Sequence, residues 1–166
     1  MSFVKLKGNR VLLENTFIQK GAHAPEFTLV SQDLKDHHLA SFGKKKKLLY
    51  VVPSLDTELC LKSTKYLNDV AKKHEDTAFL IISCDLPFAM KRICSLEKVN
   101  HVTPLSMMRD KNFGKDYGIL IKEGPLAGLC CRAVIVLDET NKVIYTELVE
   151  EITQEPDYEN AIRMIE

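Results

Sequence analysis

A chain of 166 residues, 45% of them hydrophobic, has enough apolar material for a real core and needs no disulfide or metal staple, so a single domain spanning residues 1–166 is expected. Lysine and arginine total 23 against 23 for aspartate and glutamate, which excludes a bulk electrostatic pull toward nucleic acid or anionic lipid. No segment approaches the ~20 apolar residues of a membrane span and the first residues lack a signal-peptide run, so a cytoplasmic protein is expected.

In chain order, Phe3-Val4-Lys5-Leu6-Lys7 and Arg10-Val11-Leu12-Leu13 flank Gly8-Asn9 and predict an N-terminal β-hairpin. Phe27-Thr28-Leu29-Val30 predicts a strand, and Leu48 to Val52 predicts an interior one that Pro53 terminates. Asp56 or Thr57 can cap the helix that runs on through Ala71. Ala78 to Ser83 is apolar on both faces, as in a central strand, and Pro87 suits the first turn of a second helix carrying Phe88, Met90, Ile93 and Cys94. Ala133–Leu137 and Val143–Thr146, joined by a polar turn, predict a hairpin, and Pro156 opens a closing helix.

Five cysteines, Cys60, Cys84, Cys94, Cys130 and Cys131, are an odd count without an export signal, which argues for individual thiol chemistry rather than a disulfide framework. Cys60 stands out. It falls in the first turn of a helix that follows a buried strand, where unpaired N–H groups and the positive end of the helix dipole favour the thiolate.

The order of elements matches a thioredoxin-like α/β fold: a mixed central β-sheet flanked by helices, opened by the hairpin. A C-x-x-C dithiol is missing, because Thr57 occupies the first cysteine's place. Instead Pro53-x-x-x-Thr57-x-x-Cys60 resembles the peroxidatic motif of the peroxiredoxins. Ala24-Pro25-x-Phe27-x-Leu29, Asp85-Leu86-Pro87-Phe88-Ala89, Gly124-Pro125-Leu126-x-Gly128-Leu129, Arg132-Ala133-Val134 and Glu155-Pro156-Asp157-Tyr158-Glu159 extend the likeness to the bacterial thiol peroxidase subfamily over nearly the whole chain.

The resemblance implies roles. Cys60 attacks a peroxide oxygen and becomes a sulfenic acid. Thr57 holds the substrate, Arg132 stabilises the thiolate and the charge that spreads over both oxygens, and Pro53 shields the sulfur from water. Cys94 is the resolving cysteine, condensing with Cys60 to an intrachain Cys60–Cys94 disulfide that thioredoxin reduces. Their placement on separate helices, against a disulfide's reach of ~7 Å between Cα atoms, implies local unfolding during the cycle. A homodimer is implied as well, and no cofactor. Ser95-Leu96 depart from the small residues usual beside the resolving cysteine.

Two other readings compete: a one-cysteine peroxidase in which Cys94 is structural, and a non-catalytic thioredoxin-like redox-sensing module. Cys84 is read as core, and of Cys130 and Cys131 one is expected buried and the other partly exposed. Lys44 to Lys47 is read as a solvated turn rather than a nucleic-acid patch. The five histidines show no metal-ligand spacing, so no metal site is expected.

Overall fold

The computed structural model describes residues 2–166. Its elements are strands β1 (Phe3–Leu6), β2 (Asn9–Leu12), β3 (Leu29–Ser31), β4 (Asp36–His37), β5 (Lys46–Val51), β6 (Thr77–Ser83), β7 (Thr103–Ser106), β8 (Ala133–Leu137) and β9 (Val143–Leu148). The helices are α1 (Glu58–Ala71), α2 (Pro87–Leu96), α3 (Asn112–Asp116) and α4 (Tyr158–Arg163), with one 3₁₀ turn over Leu39–Phe42.

Strands β1 and β2 form a separate antiparallel hairpin. Its turn residues are Lys7 and Gly8, both at positive φ, one place earlier than the sequence suggests. The remaining strands form one sheet in the order β4-β3-β7-β6-β5-β8-β9. It is mixed: β5, β6 and β7 are parallel, while β8 runs antiparallel to β5. The carboxyl end of β5 thus lies where the chain's direction of winding reverses, the place where open α/β sheets bind their ligands.

Both faces of the sheet are buried, which explains the continuous apolar runs of β5, β6 and β8. Leu49 and Val51, Leu80 and Ile82, and Ala133, Ile135 and Leu137 face one core, completed by hairpin and loop residues such as Val4, Leu13 and Phe27 and by Phe113 of α3. Their alternates Leu48, Tyr50 and Val52, Phe79 and Ile81, and Val134 and Val136 face a second core, with Leu67 of α1, Met90 of α2 and Ala161 of α4.

Two readings are corrected. Lys46 and Lys47 begin β5 instead of lying in a solvated turn, and Lys47 is fully buried. Its ammonium donates to Gly43 O at 3.2 Å, Lys45 O at 3.1 Å and Asn141 Oδ1 at 2.7 Å, so the buried cation is fully solvated by protein oxygens. The closing helix α4 starts after Pro156, at Tyr158, because Asp157 caps it through the Asn160 N–H. Strands β4 and β7 and helix α3 are elements that the periodicity did not indicate.

Candidate active site

Strand β5 ends at Val51, and Val52 makes one last backbone bond, to Ile82 O at 3.0 Å. Pro53 follows, buried, with no N–H to extend the ladder. The chain turns through Ser54–Asp56, and Thr57 caps α1: its Oγ1 accepts from the Cys60 N–H at 3.2 Å and donates to Ser54 O at 3.3 Å. Both bonds sit at the long end of the normal range, so this hydroxyl and this N–H are loosely held.

Cys60 is in the first turn of α1 and fully buried. Arg132, immediately before β8, lies only 2% exposed beside it. The guanidinium is held by two donations, Nε to Ile152 O at 3.1 Å and Nη1 to the Tyr50 hydroxyl at 2.8 Å. Of its five N–H donors these use two, and Cys60 lies near enough to interact with the guanidinium. Desolvation by burial weighs against the Arg132 charge, but Tyr50 and Cys60 beside it outweigh that and raise its pKa. Burial also raises the Tyr50 pKa, so the phenol stays neutral. Among the described residues no carboxylate makes a salt bridge to Arg132. A buried cation without a carboxylate leaves the site electropositive, a setting that suits an anion or a polar substrate.

Above these residues opens a cavity of about 280 Å³ lined by Pro53, Thr57 and Arg132 and by Leu6, Leu59, Leu126, Leu129 and Ile152. Its wall is mostly apolar, with Ser54, Thr57, Arg132 and Thr153 as its polar residues. Pro53, Thr57 and Arg132 therefore meet at one site next to Cys60.

Cys94 does not join them in the same sense. It is on α2, 4% exposed, and belongs to the second core together with Cys60. Both thiols are free. Burial pushes the Cys94 thiol up, opposed by a hydrogen bond with Gln32. The rest of α2 is weakly anchored: Phe88 is 66% and Leu96 70% exposed, and Pro87, Met90 and Cys94 are its buried residues. Of the four residues expected on this helix, Met90, Ile93 and Cys94 pack against the second core and Phe88 faces solvent.

The remaining cysteines also differ from expectation. Cys130 and Cys131 are both fully buried, and burial pushes the Cys131 thiol up to about 12. Cys84 is only partly buried and donates to Gly128 O at 3.5 Å.

One residue central to the geometry carried no role in the sequence reading. Asp85, just beyond β6, accepts from Ser54 Oγ at 2.7 Å, the Leu55 N–H at 2.7 Å and Ser83 Oγ at 2.7 Å. Its carboxylate therefore pins the loop between Pro53 and Thr57 to the neighbouring strand, across thirty residues of sequence. The family motif around Asp85 was the one signal that could have drawn attention to it. Asp85→Asn turns one acceptor oxygen into a donor that faces other donors. We expect a stability loss of about 2 kcal/mol, the scale of hydrogen bonds to a charged group, with slower reaction at Cys60. Denaturant unfolding beside the second-order rate with hydrogen peroxide checks this; an unchanged rate would confine Asp85 to a structural part.

The redoxin family model matches residues 19–162. A thiol peroxidase of Leptospira interrogans is 46% identical over 164 residues, covering 98% of this chain and 96% of that protein. The chain belongs to the bacterial thiol peroxidase subfamily of the peroxiredoxins. Solved structures agree: a peroxiredoxin-like protein from Aquifex aeolicus superimposes with a TM-score of 0.93 at 37% identity, over 98% of this chain and 95% of that one. A thiol peroxidase from Chromobacterium violaceum gives a TM-score of 0.87 at 27% identity, over 98% and 94%. Membership makes the chain an enzyme with thiol-dependent peroxidase activity, on a thioredoxin-like fold. No helix among the described residues is long and apolar enough to cross a membrane.

Proposed function

We propose that the chain reduces hydrogen peroxide and organic hydroperoxides through Cys60, and that the observation carrying this is the burial of Cys60 against the carboxylate-free guanidinium of Arg132 beneath an apolar cavity. The Cys60 thiolate attacks the terminal peroxide oxygen: the S–O bond forms, the O–O bond breaks, and the alkoxide or hydroxide leaves to take up a proton. Charge then spreads from sulfur to both oxygens. The free donors of Arg132 meet that charge without reorganising, and the Cys60 N–H joins them once it exchanges its long bond to Thr57 for one to the substrate. Thr57 accepts from the peroxide O–H and so orients the attack, and Pro53 keeps water from the sulfur. The leucine and isoleucine wall suits the carbon chain of an organic hydroperoxide.

Cys94 resolves the sulfenic acid: its sulfur attacks that of Cys60, the S–S bond forms and water leaves. A thiol raised by burial is a poor nucleophile in place, so the step requires α2 to open. Phe88 and Leu96 are already exposed, so unwinding this helix gives up the burial of Pro87, Met90 and Ile93 but nothing at those two positions. Once exposed, Cys94 regains an ordinary thiol's acidity. Thioredoxin then reduces the disulfide, and the protein works as a homodimer, as the resemblance implies; the cytoplasm is the compartment expected from its sequence.

Thiol counting after one equivalent of hydrogen peroxide, followed by peptide mapping, tests the cycle. Two thiols lost, with Cys60 joined to Cys94, is the expected result. Cys94→Ser should react with a first equivalent to give the sulfenic acid, lose thioredoxin-linked turnover, and accumulate sulfinic acid at Cys60 as further peroxide is consumed. One thiol lost in the parent protein would favour the one-cysteine reading, and a bridge from Cys60 to Cys84, Cys130 or Cys131 would move the resolving role there.

A further inference from the structure

The cycle above leaves Cys84 and Cys130 unused, yet they lie together. Cys84 follows β6, is partly exposed, and packs against the core that contains Cys130. That core is on the opposite face of the sheet from the one shared by Cys60 and Cys94. As neutral thiols the two point to other acceptors: Cys84 donates to Gly128 O at 3.5 Å and Cys130 to Met107 Sδ at 4.0 Å. Both nonetheless border one segment, since the Gly128 carbonyl that Cys84 bonds lies two residues before Cys130. Lys111 completes the cluster, its ammonium donating to the same Gly128 carbonyl at 2.6 Å. A cation beside a partly exposed cysteine is the setting in which cysteines react, and a neighbouring thiol is what a sulfenic acid needs to be resolved.

We propose that Cys84 and Cys130 form a second redox-active thiol pair, in which a hydroperoxide oxidises Cys84 and Cys130 closes an intrachain disulfide with it. The Cys84 thiolate takes the terminal peroxide oxygen, the O–O bond breaks, and the alcohol or water leaves. Cys130 then displaces the sulfenic hydroxyl, which departs as water with the Cys130 proton. Peroxide is reduced by two electrons and the pair is oxidised by two. Hydrogen bonding from Cys130, followed by the charge of Lys111, lowers the Cys84 pKa against desolvation and Asp85, which favours the first step at neutral pH. Burial raises the Cys130 thiol, so Cys130 is the second partner and not the first. The oxidant is the substrate class of the proposed function, but the pair does not depend on Cys60.

That independence sets the experiment. Cys60→Ser protein, shown folded by circular dichroism, is treated with excess hydrogen peroxide, blocked with iodoacetamide under denaturing conditions and mapped without reduction. The expected result is a Cys84–Cys130 linked peptide, with Cys131 still free. Lys111→Gln should slow formation of the link and move the pH midpoint of Cys84 alkylation upward. Cys130→Ala, where folded, should carry Cys84 on to sulfinic acid. Cys84 and Cys130 both recovered alkylated as in untreated protein, or Cys84 over-oxidised while Cys130 stays free, would overturn the proposal. Either outcome leaves the parent protein's Cys60 turnover, measured in parallel, untouched.

Discussion

Cys60→Ser is expected to remove peroxide turnover by on the order of 10⁶-fold, the scale on which deleting a nucleophile lowers catalysis, while the fold survives. The expectation follows from position. Residue 60 sits in the first turn of α1, where the N–H is capped by Thr57 whatever the side chain carries. A serine hydroxyl occupies less volume than a thiol and finds Arg132 as a hydrogen-bond donor, so stability should change by about 1 kcal/mol or less. An alcohol, however, is hardly ionised near neutrality, and its oxygen does not attack an O–O bond as a thiolate does. Hydrogen peroxide consumption, read beside circular dichroism and a thermal melt, decides the matter. A folded serine variant with turnover close to the parent's would move the nucleophile to another cysteine.

Much of this geometry was legible in the chain because local signals agreed with the fold. The run from Leu48 to Val52, the proline after it and a capping threonine placed β5, its end and the start of α1, and the structure puts Cys60 in the first turn accordingly. Strand β8 has the expected bounds, Ala133 to Leu137, since five consecutive apolar residues in a strand buried on both faces need no alternation. The element order carried the thioredoxin-like reading.

What stayed hidden depends on contacts between distant segments. Lys47 reads as solvent-facing until Asn141, from the turn between β8 and β9, supplies an oxygen to its ammonium. Strand β7 consists of Thr103-Pro104-Leu105-Ser106, a weak pattern containing a proline, and exists because β6 and β3 pair with it on either side. Cys130 and Cys131 are both buried because the segment before β8 is itself covered, with Cys130 bridged to Leu120 and the Cys131 N–H bonded to Ile119 O at 3.0 Å. For the candidate site the same divide holds. Proximity of Thr57 to Cys60 is a matter of helix spacing, whereas Arg132 is held beside Cys60 by Tyr50 and Ile152, and neither anchor is visible in sequence.

Those anchors shape the second large effect. Arg132→Ala is expected to slow the reaction of Cys60 with hydrogen peroxide by about 10²- to 10³-fold, the loss that follows removal of a preorganised donor at developing charge. Arg132→Lys should suffer most of that loss although it keeps the charge. The guanidinium places Nε on Ile152 O and Nη1 on Tyr50 and keeps its other N–H donors free for the reacting atoms. A single ammonium has one point of origin for its three donors, so it cannot span both anchors and the reacting atoms. Tyr50→Phe supplies the control: it takes away one anchor but leaves the fork and its Ile152 bond, so its rate should fall less than that of either arginine variant. The second-order rate with hydrogen peroxide and the rate of Cys60 alkylation at neutral pH are measured on each variant after circular dichroism shows it folded. If both arginine variants, folded, match the parent in the two rates, Arg132 is a packing residue and the buried sulfur draws its reactivity from the end of α1 alone.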